Sequence, residues 1–356
     1  MSQPRAGPPC PRRPASYRAR VPPPPSSPLR LAVVGAGLAG LVCAQRAARA
    51  GWSVTAFEKA RGVGGRLSTR RHGELHFDHG AQYFTARDAE FVRFVQEAVA
   101  GGVAAPWSGR VGTLSAGGIA PETAAPARFV GTPGMSAFVK PLAEGIVLRT
   151  GVRVGAVARD GAGWRLESTE GDALGRYDAV AVAAPAPQAA PLLAAAPALA
   201  ARAASVPMRP CWAGLVAFEK PLALAARLDA AFVEGAPLAW IARNGSKPGR
   251  PPGESWVLHA APAWSEAHVD ATPDDVAREL VAALGDVLGQ ALPAPLHRSA
   301  HRWLYALPAG AAASPGDPCL WDPALRLGAC GDWCLEGRVE AAFRSGAALA
   351  ARLGPA

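Results

Sequence analysis

The hydrophobic pattern begins at Leu29: Leu29–Val34 is apolar at every position but Arg30 and reads as a short buried strand. Good helix formers follow over Leu41–Ala50 and stop at Gly51, and Ser53–Phe57 reads as a second strand. Farther on, Gly151–Ala158, Gly163–Ser168 and a strand entering at Tyr177 predict a small antiparallel sheet. Ala179–Ala204 is nearly all apolar, as a membrane span would be, but Pro185, Pro187, Pro191 and Pro197 interrupt it. It reads instead as a buried strand (Ala179–Ala184), a turn and a surface helix. Trp256–Ala260 alternates like a half-buried strand, and Thr-Pro-Asp-Asp opens a helix over Thr272–Leu288. A short strand at Arg326–Cys330 and a closing helix from Ala341 to Leu353 complete the pattern. No internal repeat is present.

Composition changes this picture mainly at the front. Residues 1–30 hold ten of the 35 prolines, six arginines and no acidic residue. Such a stretch buries too little apolar surface to offset its ordering entropy, so residues 1–28 read as a solvated, disordered arm. The same arginines carry most of the net charge of +9, leaving the remainder near +3. That is too little for a nucleic-acid footprint, and no basic stripe with interleaved aromatics exists. The six cysteines form no disulfide framework, and Cys330-x3-Cys334 lacks a second pair for zinc. A reducing, cytoplasmic setting without membrane or metal is therefore expected; oligomeric state is not legible.

Candidate chemistry starts at Gly35-Ala36-Gly37-Leu38-Ala39-Gly40, which lies between the first strand and the first helix. Gly35 permits the tight turn, Gly37 lets a pyrophosphate approach the backbone, and Gly40 lets helix and sheet pack closely. Free amides at the helix start suit phosphate oxygens. Glu58, at the end of the second strand, is placed to accept from an adenosine ribose. This strand–turn–helix–strand–acid order marks a dinucleotide-binding unit and leaves NAD and FAD open. Lys59 to Arg66 then adds a second glycine-rich turn, with Gly64, Gly65 and Arg66 as a second phosphate clamp, which favours FAD. Near the other end, Gly331-Asp332 suits a ribityl chain. The helix opened by Arg338, Val339 and Glu340 points amides at a flavin N1–C2=O edge.

Further motifs are Asp78-His79-Gly80-Ala81-Gln82-Tyr83-Phe84-Thr85, Gly131-Thr132-Pro133-Gly134-Met135-Ser136, Ala242 to Pro248, Trp256 to Ala260, His301 to Ala306 and Cys330-Gly331-Asp332-Trp333-Cys334. With them the chain resembles the bacterial renalases over essentially Leu29 to Leu353. The resemblance implies an α/β Rossmann-type FAD-binding domain with an inserted α+β substrate domain, of the para-hydroxybenzoate-hydroxylase-like kind. It implies non-covalent FAD and oxidation of 2- or 6-dihydro isomers of NAD(P)H. Hydride passes to flavin N5 and O2 is reduced to H2O2. No general base is expected, because a dihydropyridine already donates hydride.

The implied cofactor set adds Gly80, Ala81 and the backbone near Val154 to the glycines, Glu58, Lys59, Arg66 and Asp332. Gln82 and Tyr83 are candidates for both ring contact and pocket wall, joined by His259, Trp303 and Tyr305. His259 also reads as a satisfied core histidine, and Trp303 and Tyr305 as core packing. Arg243 and Asn244 fit a substrate phosphate or amide, or an Asn-Gly hairpin turn. The expected domains are 29–85, 131–185 and 321–356 for FAD, and 86–130 with 186–320 for substrate. Two other functions remain open: a flavin amine or polyamine oxidase, for which Lys247 is the middle-domain lysine besides Lys220, and a non-catalytic flavin-bound interaction protein. Deleting residues 1–28 is expected to leave flavin content and turnover unchanged, as absorbance of the purified truncation and its steady-state rate will show.

Overall fold

The computed structural model describes residues 28–115, 118–123, 126–235, 237–309 and 317–356. The proline-rich stretch expected to be a solvated arm lies outside these residues but for its last position. Arg30–Val34 is central to a six-stranded sheet ordered Leu320–Asp322, Leu327–Ala329, Ala179–Val182, Arg30–Val34, Ser53–Glu58, Val147–Thr150. Every pair is parallel except the first. Leu31, Ala32 and Val33 are fully buried, as a strand covered on both faces requires. One face carries the helices Leu38–Arg49 and Val339–Leu353, which meet backbone to backbone: a Cβ on Gly346 would lie 2.2 Å from the Ala39 carbonyl oxygen.

The other face carries the antiparallel strands Val154–Asp160, Gly163–Ser168 and Ala173–Tyr177. The third strand ends at Tyr177 rather than entering there. Trp164, Leu166 and Leu174 pack against Val34, Val180 and Val182. The expected surface helix after Ala184 is two short helices, Ala186–Leu192 and Pro197–Ala204. Their residues Ala186, Ala189, Leu192 and Ala203 join the same core, because an alanine-rich helix with one apolar face packs rather than floats. By packing, this stretch sits with the dinucleotide-binding sheet, although the sequence reading assigned it to the substrate domain. Among the described residues no helix is long and apolar enough to cross a membrane.

The inserted α+β domain is built on a seven-stranded sheet ordered His297–Pro308, Met208–Phe218, Glu254–Ala260, Leu238–Arg243, Ala230–Val233, Val111–Ser115, Gly118–Pro121. Helix Pro273–Leu288, capped by Thr272, covers one face through Val276, Leu280 and Leu284. The opposite face turns to the Rossmann-like domain, where Trp240 and Ala242 join Phe84, Trp107 and Phe343. Glu254–Ala260 therefore lacks the alternation expected of it, since the strand is covered on both sides. The closing helix starts two residues earlier than its apolar pattern, at Val339.

A histidine row joins the two domains. Hairpin Arg70–His72/Leu75–Phe77 leans on the second sheet, with the His72 ring stacked on His297 at 4.0 Å. Phe77 is buried among Ala213, Leu215 and Val257. Next along, the His79 and His301 rings are 4.8 Å apart, and both touch Trp303. Burial, with the neighbouring His301 and Arg70 charges, pushes His79 down to about 3. Burial and Arg70 push His301 down to about 4.

Both imidazoles stay neutral in the folded protein while unfolded histidine protonates near 6.5, so the unfolded state binds more protons as pH falls through that window. Stability is expected to fall from about pH 6.5 towards 4, with His79 alone contributing about 2 kcal/mol of loss by pH 5. Urea midpoints at pH 7.5 and 5 test this. His79→Phe should flatten the dependence, and a wild-type midpoint that does not move would contradict it.

Candidate active site

The first glycine turn is shaped by close backbone approaches. Gly35 has φ +107°, and a Cβ there would lie 2.7 Å from the Ala183 carbonyl oxygen. A Cβ on Gly40 would lie 2.0 Å from the Gly35 carbonyl oxygen, so only glycine lets the helix begin so near the strand. Above Gly37, by contrast, nothing lies within 4 Å of a Cβ position. The helix starting at Leu38 has no side-chain cap, which leaves the first-turn amides, including those of Ala39 and Gly40, for a ligand oxygen. The second glycine turn lies against the first: Gly64 donates its N–H to the Ala36 carbonyl at 2.9 Å, and Gly37 and Gly64 bridge.

Glu58 ties both turns together. Its buried carboxylate accepts from the backbone N–H of Ala36 at 2.9 Å and of Ala60 at 2.8 Å. Lone pairs remain on it for ribose hydroxyls. Lys59 reaches outward to Gln188 Oε1 at 3.4 Å, so only its backbone adjoins the turns. The Val154 side chain belongs to the core cluster, and nearby the Val152 N–H donates to the Glu58 carbonyl at 3.0 Å.

Arg66, expected as part of a phosphate clamp, has protein partners in this structure. Its guanidinium donates to both carboxylate oxygens of Asp332 and to the Ala306 carbonyl at 2.7 Å. The reason is electrostatic: Asp332 is buried and a buried carboxylate needs a counter-charge. Two residues expected at neighbouring parts of the cofactor, its pyrophosphate and its ribityl chain, thus touch. Gly80 and Ala81 lie on the Arg66 backbone, with Ala81 N–H donating to its carbonyl at 2.9 Å. Gly331 donates its N–H to Ser345 Oγ at 2.9 Å. Arg338 caps the closing helix without a side-chain bond and is exposed beside Glu336. The Glu340 carboxylate is turned away, accepting from the N–H groups of Arg87 at 2.5 Å and Asp88 at 3.1 Å; only its backbone amide is left for a cofactor. Two uncapped helix starts as donors, the open ground above Gly37 and buried carboxylates at both ends as acceptors are a set of groups that fits FAD.

Beside this floor lies a charged hub that sequence reasoning missed. Asp78 is fully buried and accepts from Arg250 Nη2 at 2.6 Å, Arg250 Nε at 3.1 Å, Thr69 Oγ1 at 2.7 Å and Met135 N–H at 3.1 Å. Lys247 Nζ lies 3.4 Å from Asp78 Oδ2 and donates to Gln82 Oε1 at 3.1 Å and Asn244 Oδ1 at 3.3 Å. Burial favours a neutral Asp78, but Lys247, Arg250 and the Thr69 hydroxyl outweigh it and hold the carboxyl below its usual range. Burial pushes Lys247 down to about 8 against the pull of Asp78.

The five pocket candidates divide. Gln82, His259 and Trp303 come together: Gln82 Nε2 lies 3.5 Å from His259 Nε2, and His259 Nε2 and Trp303 Nε1 lie 3.2 and 2.8 Å from the His79 carbonyl oxygen. Burial pushes His259 down to about 4, so it is neutral. Tyr305 is half-buried on the Trp303 side of its strand, next to the Ala306 carbonyl that holds Arg66. Tyr83 points elsewhere, into a group with Trp107, Trp240 and Arg128. Arg243 pairs with Glu254 at 2.8 Å, away from the hub. Asn244 is buried in the hub and opens a short 3-10 turn, Asn244–Ser246, rather than a two-residue hairpin. The sparse lysines were the one signal for Lys247; nothing in the sequence pointed to Arg250, Trp107, Arg128 or Trp240.

Residues 33–98 match the NAD(P)-binding Rossmann-like domain, and residues 108–354 match the flavin containing amine oxidoreductases. Among solved structures, a protein provisionally assigned as a protoporphyrinogen oxidase, from Exiguobacterium sp. 255-15, aligns with TM-score 0.73 and 14% identity over 92% of this chain and 98% of that one. Cyclohexylamine oxidase from Brevibacterium oxydans IH-35A aligns with TM-score 0.72 and 14% identity over 92% and 98%. An oxidoreductase from Methanosarcina mazei aligns with TM-score 0.68 and 14% identity over 90% and 99%. These likenesses show the fold, a Rossmann-like domain carrying an inserted α+β domain. The match from 108 to 354 spans well over half the residues, and the chain belongs to the flavin containing amine oxidoreductase family.

Proposed function

We propose that this chain is a FAD-dependent oxidase that takes hydride from a carbon bonded to nitrogen, with an amine as substrate. Family membership across the inserted domain is the observation that carries the proposal. FAD, when bound, supplies the hydride acceptor, and O2 reoxidises it with formation of H2O2. The chain's own residues hold and orient. Glu58 would hold the ribose, the Gly35–Gly40 turn would hold the phosphates, and the amides at Val339 and Glu340 would stabilise negative charge on the ring. An amine gives hydride only as the neutral base. His79, His259 and His301, kept uncharged, and Lys247, near 8, make a setting that does not stabilise an ammonium.

A second function has its own support. The motifs from Asp78, Gly131 and Ala242 resemble those of renalases, and in 2- and 6-dihydronicotinamides the hydride also leaves a carbon next to nitrogen.

Anaerobic mixing separates the two. Cyclohexylamine or benzylamine should bleach the flavin about a hundredfold faster than any dihydronicotinamide, the penalty expected of a misplaced carbon. Faster bleaching by a 2- or 6-dihydro isomer moves the assignment to the second function, and silence with every donor sinks both. Glu58→Ala should weaken FAD retention at least tenfold, because hydrogen bonds to a charged acceptor contribute about 1.5–3 kcal/mol each. Titration of apoprotein with FAD measures it, and wild-type affinity would remove Glu58 from the ribose.

A further inference from the structure

Among the buried side-chain groups without a hydrogen-bond partner are Trp107 Nε1, Trp240 Nε1 and Arg128 Nε. The three residues are 4%, 6% and 6% exposed, and all three pack on one ring. Trp107 and Trp240 lie 6.1 and 5.5 Å from Tyr83 between centroids, and the Arg128 guanidinium stands 5.0 Å over it. Each orphan is a donor, and none is an acceptor. A folded chain rarely leaves one such N–H buried and unpaired, and three around one side chain call for an outside acceptor.

The surroundings narrow its chemistry. Trp107, Trp240 and Tyr83 offer flat π surfaces, which select a flat partner. Glu122 answers the Arg128 charge at 2.5 Å, so the remaining Arg128 Nε needs an oxygen rather than a full counter-ion. Tyr83 follows Gln82 in the loop that lies on Arg66, and the same apolar cluster contains Val339, first residue of the closing helix. The group therefore shares one apolar core with the helix start expected to face the flavin ring. It also leads outward: Trp240 meets Phe232 edge-on at 4.7 Å, and Phe232 is 45% exposed.

We propose that Tyr83, Trp107, Trp240 and Arg128 form a substrate-recognition subsite for a flat, unsaturated group bearing a carbonyl or carboxylate oxygen. The subsite deepens the oxidase function proposed above and rests on it for calling the ligand a substrate. The indole N–H groups and Arg128 Nε donate to the ligand oxygen, and the rings supply apolar contact.

The test is binding of unreactive probes to the holoenzyme, read by perturbation of the flavin spectrum: benzamide, benzoate, and toluene as a control without an acceptor. Benzamide or benzoate should bind at least tenfold more tightly than toluene, and whichever wins identifies a carboxamide or a carboxylate. Trp107→Phe and Trp240→Phe keep a ring and lose the donor. Each should weaken the winning probe about fivefold and leave toluene unchanged, whereas equal weakening of all three probes would reduce these tryptophans to packing. In the unsubstituted protein, two indole ¹H–¹⁵N resonances should move downfield with the winning probe, a result that does not depend on the variants folding. Equal binding of toluene, or unmoved indole resonances, overturns the subsite. Donor bleaching without probe binding defeats this inference alone, and probe binding without donor bleaching defeats the oxidase function alone.

Discussion

A single buried carboxylate, Asp78, holds the candidate site together. It lies on the loop after the first domain's hairpin, yet its charge is balanced by Arg250 and Lys247 from the inserted domain. The same Arg250 donates to the carbonyls of Gly131 at 2.5 Å and Pro248 at 2.6 Å, which pins the loop carrying Met135. Lys247 in turn fixes Gln82, and Gln82 lies against His259. Loss of the carboxylate would strand two cations in a dry interior, which is far more destabilising than loss of a surface pair. The relative placement of pocket wall and cofactor floor follows from this one balance.

Next to that charged hub stands a row of neutral imidazoles. The two neighbourhoods adjoin in the chain at Asp78 and His79 but treat protons oppositely. At the hub, opposite charges overcome burial; along the row, burial and nearby arginine leave imidazole uncharged. The site therefore presents hydrogen-bonding rings at one side and fixed charge at the other, with Gln82 between them.

What the sequence made legible was local. The glycine turns, Glu58, the Thr272 cap and the central strands follow from neighbours within a few residues, where periodicity and turn chemistry act. Asp78 and Arg250 are separated by 172 positions, and no local pattern couples them. Trp107, just after the strand Ala104–Pro106, and Trp240, in a short strand, are isolated aromatics with no spacing to link them to Tyr83. Arg66 shows a different kind of gap: its motif was recognisable, but its Asp332 partner depended on where the last strand brings a carboxylate. The supposed surface helix after Ala184 differed because alanine carries little signal about which face is covered.

The Arg66–Asp332 pair closes a span of 266 positions, and its strand, Leu327–Ala329, extends a sheet begun at Arg30. During synthesis the glycine turns emerge early, but the carboxylate that holds Arg66 emerges 266 positions later, with the closing helix behind it. The inserted domain must be accommodated before these ends meet. Assembly of the candidate site is thus coupled to synthesis through the last strand, and a nascent chain arrested before it would present its glycine turns without the other half of the floor.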